Sequence, residues 1–508
     1  MHTHNHYTHF FAFILLTCFS SLSLCAQSPS SFGCFQKNLH EERLNVDEEY
    51  AKKQAQLSKW IYQKSILPNR EKSNEIYQIP VVVHIIHLSE DATEVDESSN
   101  PTNAQVRIAM QHLNEAFRNT GNYAEDGRGA NDPDNPDADL LKSVDVRIEF
   151  CLAKRDINDE ATNGILRYEN DEFSRLDAAQ DDAMKEWVAE QNGNRFPTTD
   201  YINVYLVEEI CDEGDCSIAG YAYLAGAHGR PFDGIVGEAF WFGTQPEFST
   251  VHIHEFGHYF DLYHTFEENC SNDDCLLNGD LVCDTPPDDS QTSVACGMTE
   301  NSCTTDLQSG PFTVDQEDLY ENYMDYSNSR CNNTFTQGQK DRMRLALEGV
   351  RSSLLSSRGG IPLSDQEVAL TEIAVPNSNI CSNDFQPMIS VENLGTTTVT
   401  SLNISSTIDG GNAVNTNWTG EIAVGAMELV PLDIQTVADF GTYEICVDII
   451  TVNGIEDAFT NNNTACTNFS YQNPIADLEY CDSFDAPASS LISLESPSGT
   501  QNVLDIVD

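Results

Sequence analysis

The feature that most constrains this chain is the string His254-Glu255-Phe256-Gly257-His258-Tyr259-Phe260-Asp261-Leu262-Tyr263-His264. His254 and His258 stand at i and i+4, so on a helix both imidazoles project from one face. That spacing lets two ring nitrogens reach one zinc ion at about 2 Å. Glu255, next to the first histidine, then lies beside the open position of the ion, where it can take a proton from water. His264 follows six residues after His258 and cannot share that face, so the helix must end and the chain turn back. A bare H-E-x-x-H also arises by chance on helices; a third histidine at this spacing makes the metal reading much the stronger one. His252 is out of register with the other three and reads as structural.

The 508 residues suffice for two or three domains, and an apolar fraction of 40% supports packed cores. A formal net charge of −55 argues against nucleic acid as a partner, because phosphate recognition needs clustered Lys and Arg. It reads as a solvated acidic surface, with calcium held by Asp/Asn-rich loops as the sharper alternative. Residues 1–26 read as an export signal: Phe10 to Leu24 is apolar but shorter than the roughly 20 residues that span a bilayer, and the small Ala26 follows. No later stretch is apolar enough to be a transmembrane segment. Export permits disulfides. Six of the 16 cysteines, Cys270, Cys275, Cys283, Cys296, Cys303 and Cys331, crowd the loops after the histidines.

Residues 27–76 are polar, with one helix expected over Leu39–Ile66 and stopped by Pro68, and read as a prosegment or docking arm. Residues 77–357 read as an α/β (α+β) domain, a twisted sheet backed by helices. Strands are expected at Tyr77–His87, Val144–Ala153, Tyr201–Glu208, Gly220–Leu224 and Asp233–Phe242. Helices are expected at Asn103–Arg118, Ser174–Gln191, Ser249–Tyr263 (starting at Ser249 or Thr250) and Gln337–Leu355. Ser357–Pro362 reads as a linker. Residues 365–471 alternate in short runs broken by Gly, Asn and Asp, the texture of an all-β sandwich. Residues 472–508 are left as the stub of a further module.

A second string, Asn322-Tyr323-Met324-Asp325-Tyr326-Ser327, lies downstream. HEFGHYFDLYHTF, GDLVCDTPP (Gly279–Pro287) and NYMDYSNSRCNNTFTQGQKDRM (Asn322–Met343), with IPVVVHIIH and INVYLVEEI, together resemble the pappalysin branch of the metzincins over roughly residues 77–357. The resemblance implies a secreted zinc metalloendopeptidase acting on proteins or peptides, with His254, His258 and His264 on zinc and Glu255 as general base. It implies that Met324 forms the floor beneath the three imidazoles and that Tyr326 steadies the reacting group. Family sequences carry Gly where Asp261 stands; Asp enters the left-handed region more readily than most residues.

The same resemblance implies the pairs Cys270–Cys303 and Cys296–Cys331, leaving Cys275 beside Cys283 and Cys211 beside Cys216. It implies calcium on Asp280, the Cys283 carbonyl and Thr285, with a plain acidic turn as the alternative. Cys34 is a candidate latency ligand, its thiolate capping the zinc. Its flanks, Phe32-Gly33-Cys34-Phe35-Gln36, lack the basic residues of the usual form, and a disulfide or free thiol stays open. Ser329 and Arg330 occupy the stretch where relatives that cut at basic residues carry an acid, so basic specificity is not expected. The pairing of Cys381, Cys446 and Cys466 is open. No site is readable in the sandwich, which is expected to act as a spacer or to contact a surface or matrix. The rival readings are a non-catalytic adhesin and a metallo-amidase acting on cell-wall peptides.

Overall fold

The computed structural model describes residues 33–67, 74–91, 99–124, 129–243, 245–289, 296, 300–326, 330–376, 378–457, 459–472, 494–495 and 501–502. The expected export signal lies outside them, as does most of 472–508, of which only the pairing of Leu494–Glu495 with Gln501–Asn502 is described.

Tyr77–His87 forms the central strand, because its β-branched run satisfies burial on both faces from Ile79 to His87. The sheet runs Gly33–Cys34, Ile218–Ala222, Ile235–Glu238, Ile202–Val207, Tyr77–His87, Ile148–Leu152, with Ile165–Glu169 pairing the far end of Tyr77–His87. Its ladders are parallel except Ile218–Ala222 against Ile235–Glu238. Successive side chains of the central strand face opposite ways. Ile79, Val81, Val83 and Ile85 join one core with helices Asn103–Phe117 and Pro246–Tyr259. Ile86 joins the core on the other face, with Met184 and Val188 of helix Asp181–Gln191 and with Leu39 and Tyr50 from the N-terminal helices.

Several expected bounds are corrected. The single helix over Leu39–Ile66 is two, Gln36–Val46 and Glu48–Ser65. They break at Asp47, whose extended backbone lets its carboxylate accept from the Glu49 and Tyr50 amides. The helix expected from Ser174 starts at Asp181, because Arg175–Asp177 pairs with Glu209–Cys211. The histidine helix begins at Pro246, whose fixed φ and missing N–H suit a first helical position, and Ser249 instead bonds His112 Nδ1 at 2.8 Å. It ends at Tyr259. The last helix is Gln337–Glu348, stopped by Gly349 and followed by a short turn over Ser352–Ser356. Ser357–Pro362 is docked: the Gly359 carbonyl accepts from the Lys154 amide at 2.7 Å, and Arg155 Nε donates to the Ile361 carbonyl at 2.6 Å.

Beyond it, Val368–Val375, Met388–Asn393 and Met427–Pro431 form a three-stranded sheet. Val399–Ile408, Val414–Ile422, Gly441–Val452 and Thr464–Tyr471, with Asn379–Ile380, form a five-stranded one. Val368, Ile389 and Val430 of the first share one core with Ile404, Ile445 and Val447 of the second. Disulfides join Cys211–Cys216, Cys270–Cys303, Cys275–Cys283, Cys296–Cys331 and Cys446–Cys466, and Cys381 is also disulfide-bonded. Cys34 and Cys151 are free thiols.

Candidate metal centre

Helix Pro246–Tyr259 buries Ile253, Phe256 and Tyr259 against the sheet. This turns the face bearing His254, Glu255 and His258 toward a pocket closed by the chain that follows. The helix ends in a Schellman-type turn: the Leu262 amide donates to the Gly257 carbonyl at 3.0 Å and Asp261 adopts φ 75°. For a residue with a Cβ that conformation costs about 1–2 kcal/mol. Asp261 is held there by buried partners: Arg342 Nη2 donates to its Oδ2 at 2.6 Å, Arg342 Nε to its carbonyl at 2.7 Å, and Gln54 Nε2 to its Oδ1 at 2.8 Å. The turn swings His264 back toward the other two histidines.

The three Nε2 atoms converge, with His258 at 3.0 Å from His254 and 3.1 Å from His264. The Nδ1 atoms of His254 and His258 lie 2.6 Å and 2.8 Å from the Tyr323 and Leu262 carbonyls. A carbonyl only accepts, so both rings carry their proton on Nδ1 and present Nε2 lone pairs inward. The His264 ring stacks on Phe266 at 4.8 Å and 7°. Burial pushes His254 down to about 4, and burial together with the neighbouring histidines lowers His258 and His264. Neutral imidazoles with lone pairs face to face repel unless a cation lies between them. A tetrahedral zinc with bonds of about 2.0–2.1 Å would space its nitrogens about 3.3 Å apart, close to the spacing found. The donor set therefore fits zinc.

Glu255 is fully buried beside this group; its Oε1 has no hydrogen-bond partner, and burial pushes its carboxyl up to about 8. A divalent cation alongside would pull it back toward the ionised form. Met324 is wholly buried under the helix: a Cβ placed on Gly257 would meet its Sδ at 2.4 Å. Its turn is fixed by Asn322, which accepts from the Met324 amide at 2.9 Å and exchanges amide bonds with Gln339 at 2.9 and 2.8 Å. The Tyr326 ring stands edge-on to His264 at 4.9 Å.

Strand Gly33–Cys34 extends the sheet alongside Ile218–Ala222, pairing Cys34 with Gly220. It carries the Cys34 Sγ to the histidines: this atom and one nitrogen from each ring lie within 4.8 Å of one another. Cys34 Sγ is 3.6 Å from Glu255 Oε2, and the Tyr326 hydroxyl donates to the Cys34 carbonyl at 3.1 Å. Burial, then the Glu255 charge, raises the thiol well above its ordinary range.

At the other expected site, Asp280 is buried with its Oδ1 accepting from the Val282 amide at 3.0 Å and its Oδ2 2.7 Å from the Thr285 hydroxyl. Burial pushes Asp280 up to about 7. Cys283 is bonded to Cys275, and its carbonyl lies against Gly310, 2.9 Å from where a Cβ would stand. Asp280 and Thr285 are thus brought together in one turn. Ser329 lies outside the described residues. Sequence reasoning missed Gln54, Arg342 and the Tyr323 carbonyl. The only pointer was Asp261 itself, since a buried acid at a left-handed turn calls for a cationic partner.

The family model described as pregnancy-associated plasma protein-A matches residues 183–348. An extracellular metalloprotease of Neurospora crassa is 33% identical over 151 residues, 28% of this chain and 46% of its own. One from Colletotrichum graminicola is 34% identical over 161 residues, 30% of this chain and 51% of its own. The chain thus spans about half the length of these relatives. A solved structure of a Tannerella forsythia promirolysin mutant is similar at 25% identity, covering 63% of this chain and 95% of that one with a TM-score of 0.45.

Proposed function

We propose that this chain is a pappalysin-type metzincin, an exported zinc endopeptidase kept latent by its own residues 27–76. The observation that carries the reading is the convergence of three lone-pair-presenting Nε2 atoms beside a buried, half-unpartnered Glu255. His254, His258 and His264 would hold the zinc, which supplies acidification of a water and polarisation of the scissile carbonyl. Glu255 takes the proton from that water and returns it to the leaving nitrogen. Tyr326, freed from the Cys34 carbonyl, donates its hydroxyl to the oxyanion that develops on the substrate. Met324 and Gly257 set the depth of the histidine platform. Among the described residues no helix is long and apolar enough to cross a membrane.

Cys34 lies where a fourth zinc ligand and a substrate would compete, so residues 27–76 act as an inhibitory prosegment. Calcium on Asp280, Thr285 and the Cys283 carbonyl steadies the disulfide-rich loops, and the β-rich region serves as a spacer or surface contact. Glu255→Gln should keep its zinc and lose about 10³-fold or more in cleavage of casein or gelatin. An adhesin would cleave neither substrate in any form, and a cell-wall amidase would cut only muropeptides. Cys34→Ser should release activity in the unprocessed chain; equal latency in that variant would remove the thiol from the account.

A further inference from the structure

Far from the histidines, the first strand of the β-rich region, Val368–Val375, is preceded by a buried acid. Glu367 is 1% exposed; its Oε1 accepts from Asn462 Nδ2 at 3.1 Å, while its Oε2 is buried without a hydrogen-bond partner. Facing it is Asp457, also buried, whose oxygens accept from the Val368 and Phe459 amides at 2.9 Å each. The two carboxyls lie within hydrogen-bonding reach of each other. Among the described residues neither makes an ion pair with Lys, Arg or His. Two carboxyls so placed either share a proton, which neutralises one of them, or stay ionised about a cation.

The neighbouring turn distinguishes these alternatives. Asn462 at the end of the turn Thr460–Asn462 donates its Nδ2 to Glu367 while its Oδ1 is buried and unpartnered, and the next residue, Asn463, 2% exposed, has neither amide atom bonded. A shared proton answers the clash between Glu367 and Asp457 and leaves the amide oxygen of Asn462 unsatisfied. A hard cation held by the two carboxylates and the Asn462 amide oxygen would answer both. All donors are oxygens, which excludes a preference for zinc or copper, and an irregular mix of carboxylate and amide carbonyl suits calcium better than the octahedral demand of magnesium.

We propose that Glu367, Asp457 and Asn462, with Asn463 beside them, form a calcium site that ties the first strand of the β-rich region to the loop before its last strand. The ion would fasten Val368–Val375 where the chain leaves the docked segment Ser357–Pro362. It acts on the β-rich region and is independent of the zinc centre.

The test uses the full-length chain with calcium alone, counted by equilibrium dialysis, and thermal melting with calcium or with chelator. Glu367→Gln is the informative variant, since its amide can donate to Asp457 and relieve the repulsion. It should bind one calcium ion fewer than the parent and lose the calcium-dependent rise in melting temperature. Asp280→Asn, at the other candidate site, should keep that ion. Asp457→Asn gives a second reading by the same loss of one ion. An unchanged calcium count in both variants would overturn the proposal. So would a parent that ignores calcium while Glu367→Gln melts higher with and without it, which would assign a shared proton to the pair.

Discussion

The α/β region and the β-rich region solve the burial of charge differently. In the α/β region three buried cations each meet a buried acid. Arg351 clamps Asp233 in a bidentate pair at 2.6 and 2.9 Å, Arg342 holds Asp261 at 2.6 Å, and Lys185 holds Asp181 at 2.9 Å. Arg351 also donates to the Tyr259 carbonyl at 2.8 Å, and Arg342 grips the turn that aims His264. The two arginines thereby fasten the end of the histidine helix to the last helix and the turn after it. The β-rich region is built on an apolar core; its buried Glu392 meets Arg107 of the α/β region at 2.7 Å, while Glu367 and Asp457 make no ion pair with Lys, Arg or His among the described residues. A paired charge is costly to desolvate yet fixes geometry. The region that must hold three imidazoles in register uses such pairs within itself, whereas Glu392 of the β-rich region finds its cation in the other region.

Breaking one partner of such a pair is the strongest way to test the contrast. Arg351→Ala leaves Asp233 buried and uncompensated and should cost about 3–5 kcal/mol in urea unfolding. Truncating an apolar residue of the other core, Ile445→Ala, should cost about 2–5 kcal/mol by cavity formation. Ile445→Ala should leave zinc binding untouched, whereas Arg342→Met should weaken zinc about 10–100-fold by loosening the His264 turn. If Arg342→Met binds zinc as the parent does, the Asp261 turn is held by other contacts. Gly257→Ala, which must push Met324 aside, should cost about 1–3 kcal/mol. The half-exposed pair Lys37–Glu267, at 2.9 Å, should contribute under about 1 kcal/mol when Lys37 becomes Ala, read by the unfolding midpoint.

The same contrast explains what was legible in the sequence. Tyr77–His87 declared itself because a continuous β-branched run has few other uses, and the alternation after Val368 announced paired sheets. The histidine spacing is a local code, so the convergence of His254, His258 and His264 follows from an i, i+4 pair and a turn. The start of that helix was misplaced because Ser249 looks like a cap, whereas Pro246 provides the start by its fixed φ. Asp47 was read through as helix interior although it caps the helix behind it. Gln54 and Arg342 were invisible for another reason: they meet Asp261 from 207 and 81 residues away, and no local pattern marks such a contact. Cys34 could be singled out by residue type, but its position depends on pairing beside Gly220, which is a property of the assembled sheet.

The most direct measurement is the metal content of the purified chain and its histidine variants by elemental mass spectrometry, alongside casein cleavage after removal of residues 27–76. One zinc per chain is predicted for the parent and for Glu255→Gln, with loss of the ion in His258→Ala and His264→Ala. A parent chain without stoichiometric zinc, or a His264→Ala chain that keeps both its zinc and its activity, would contradict the account.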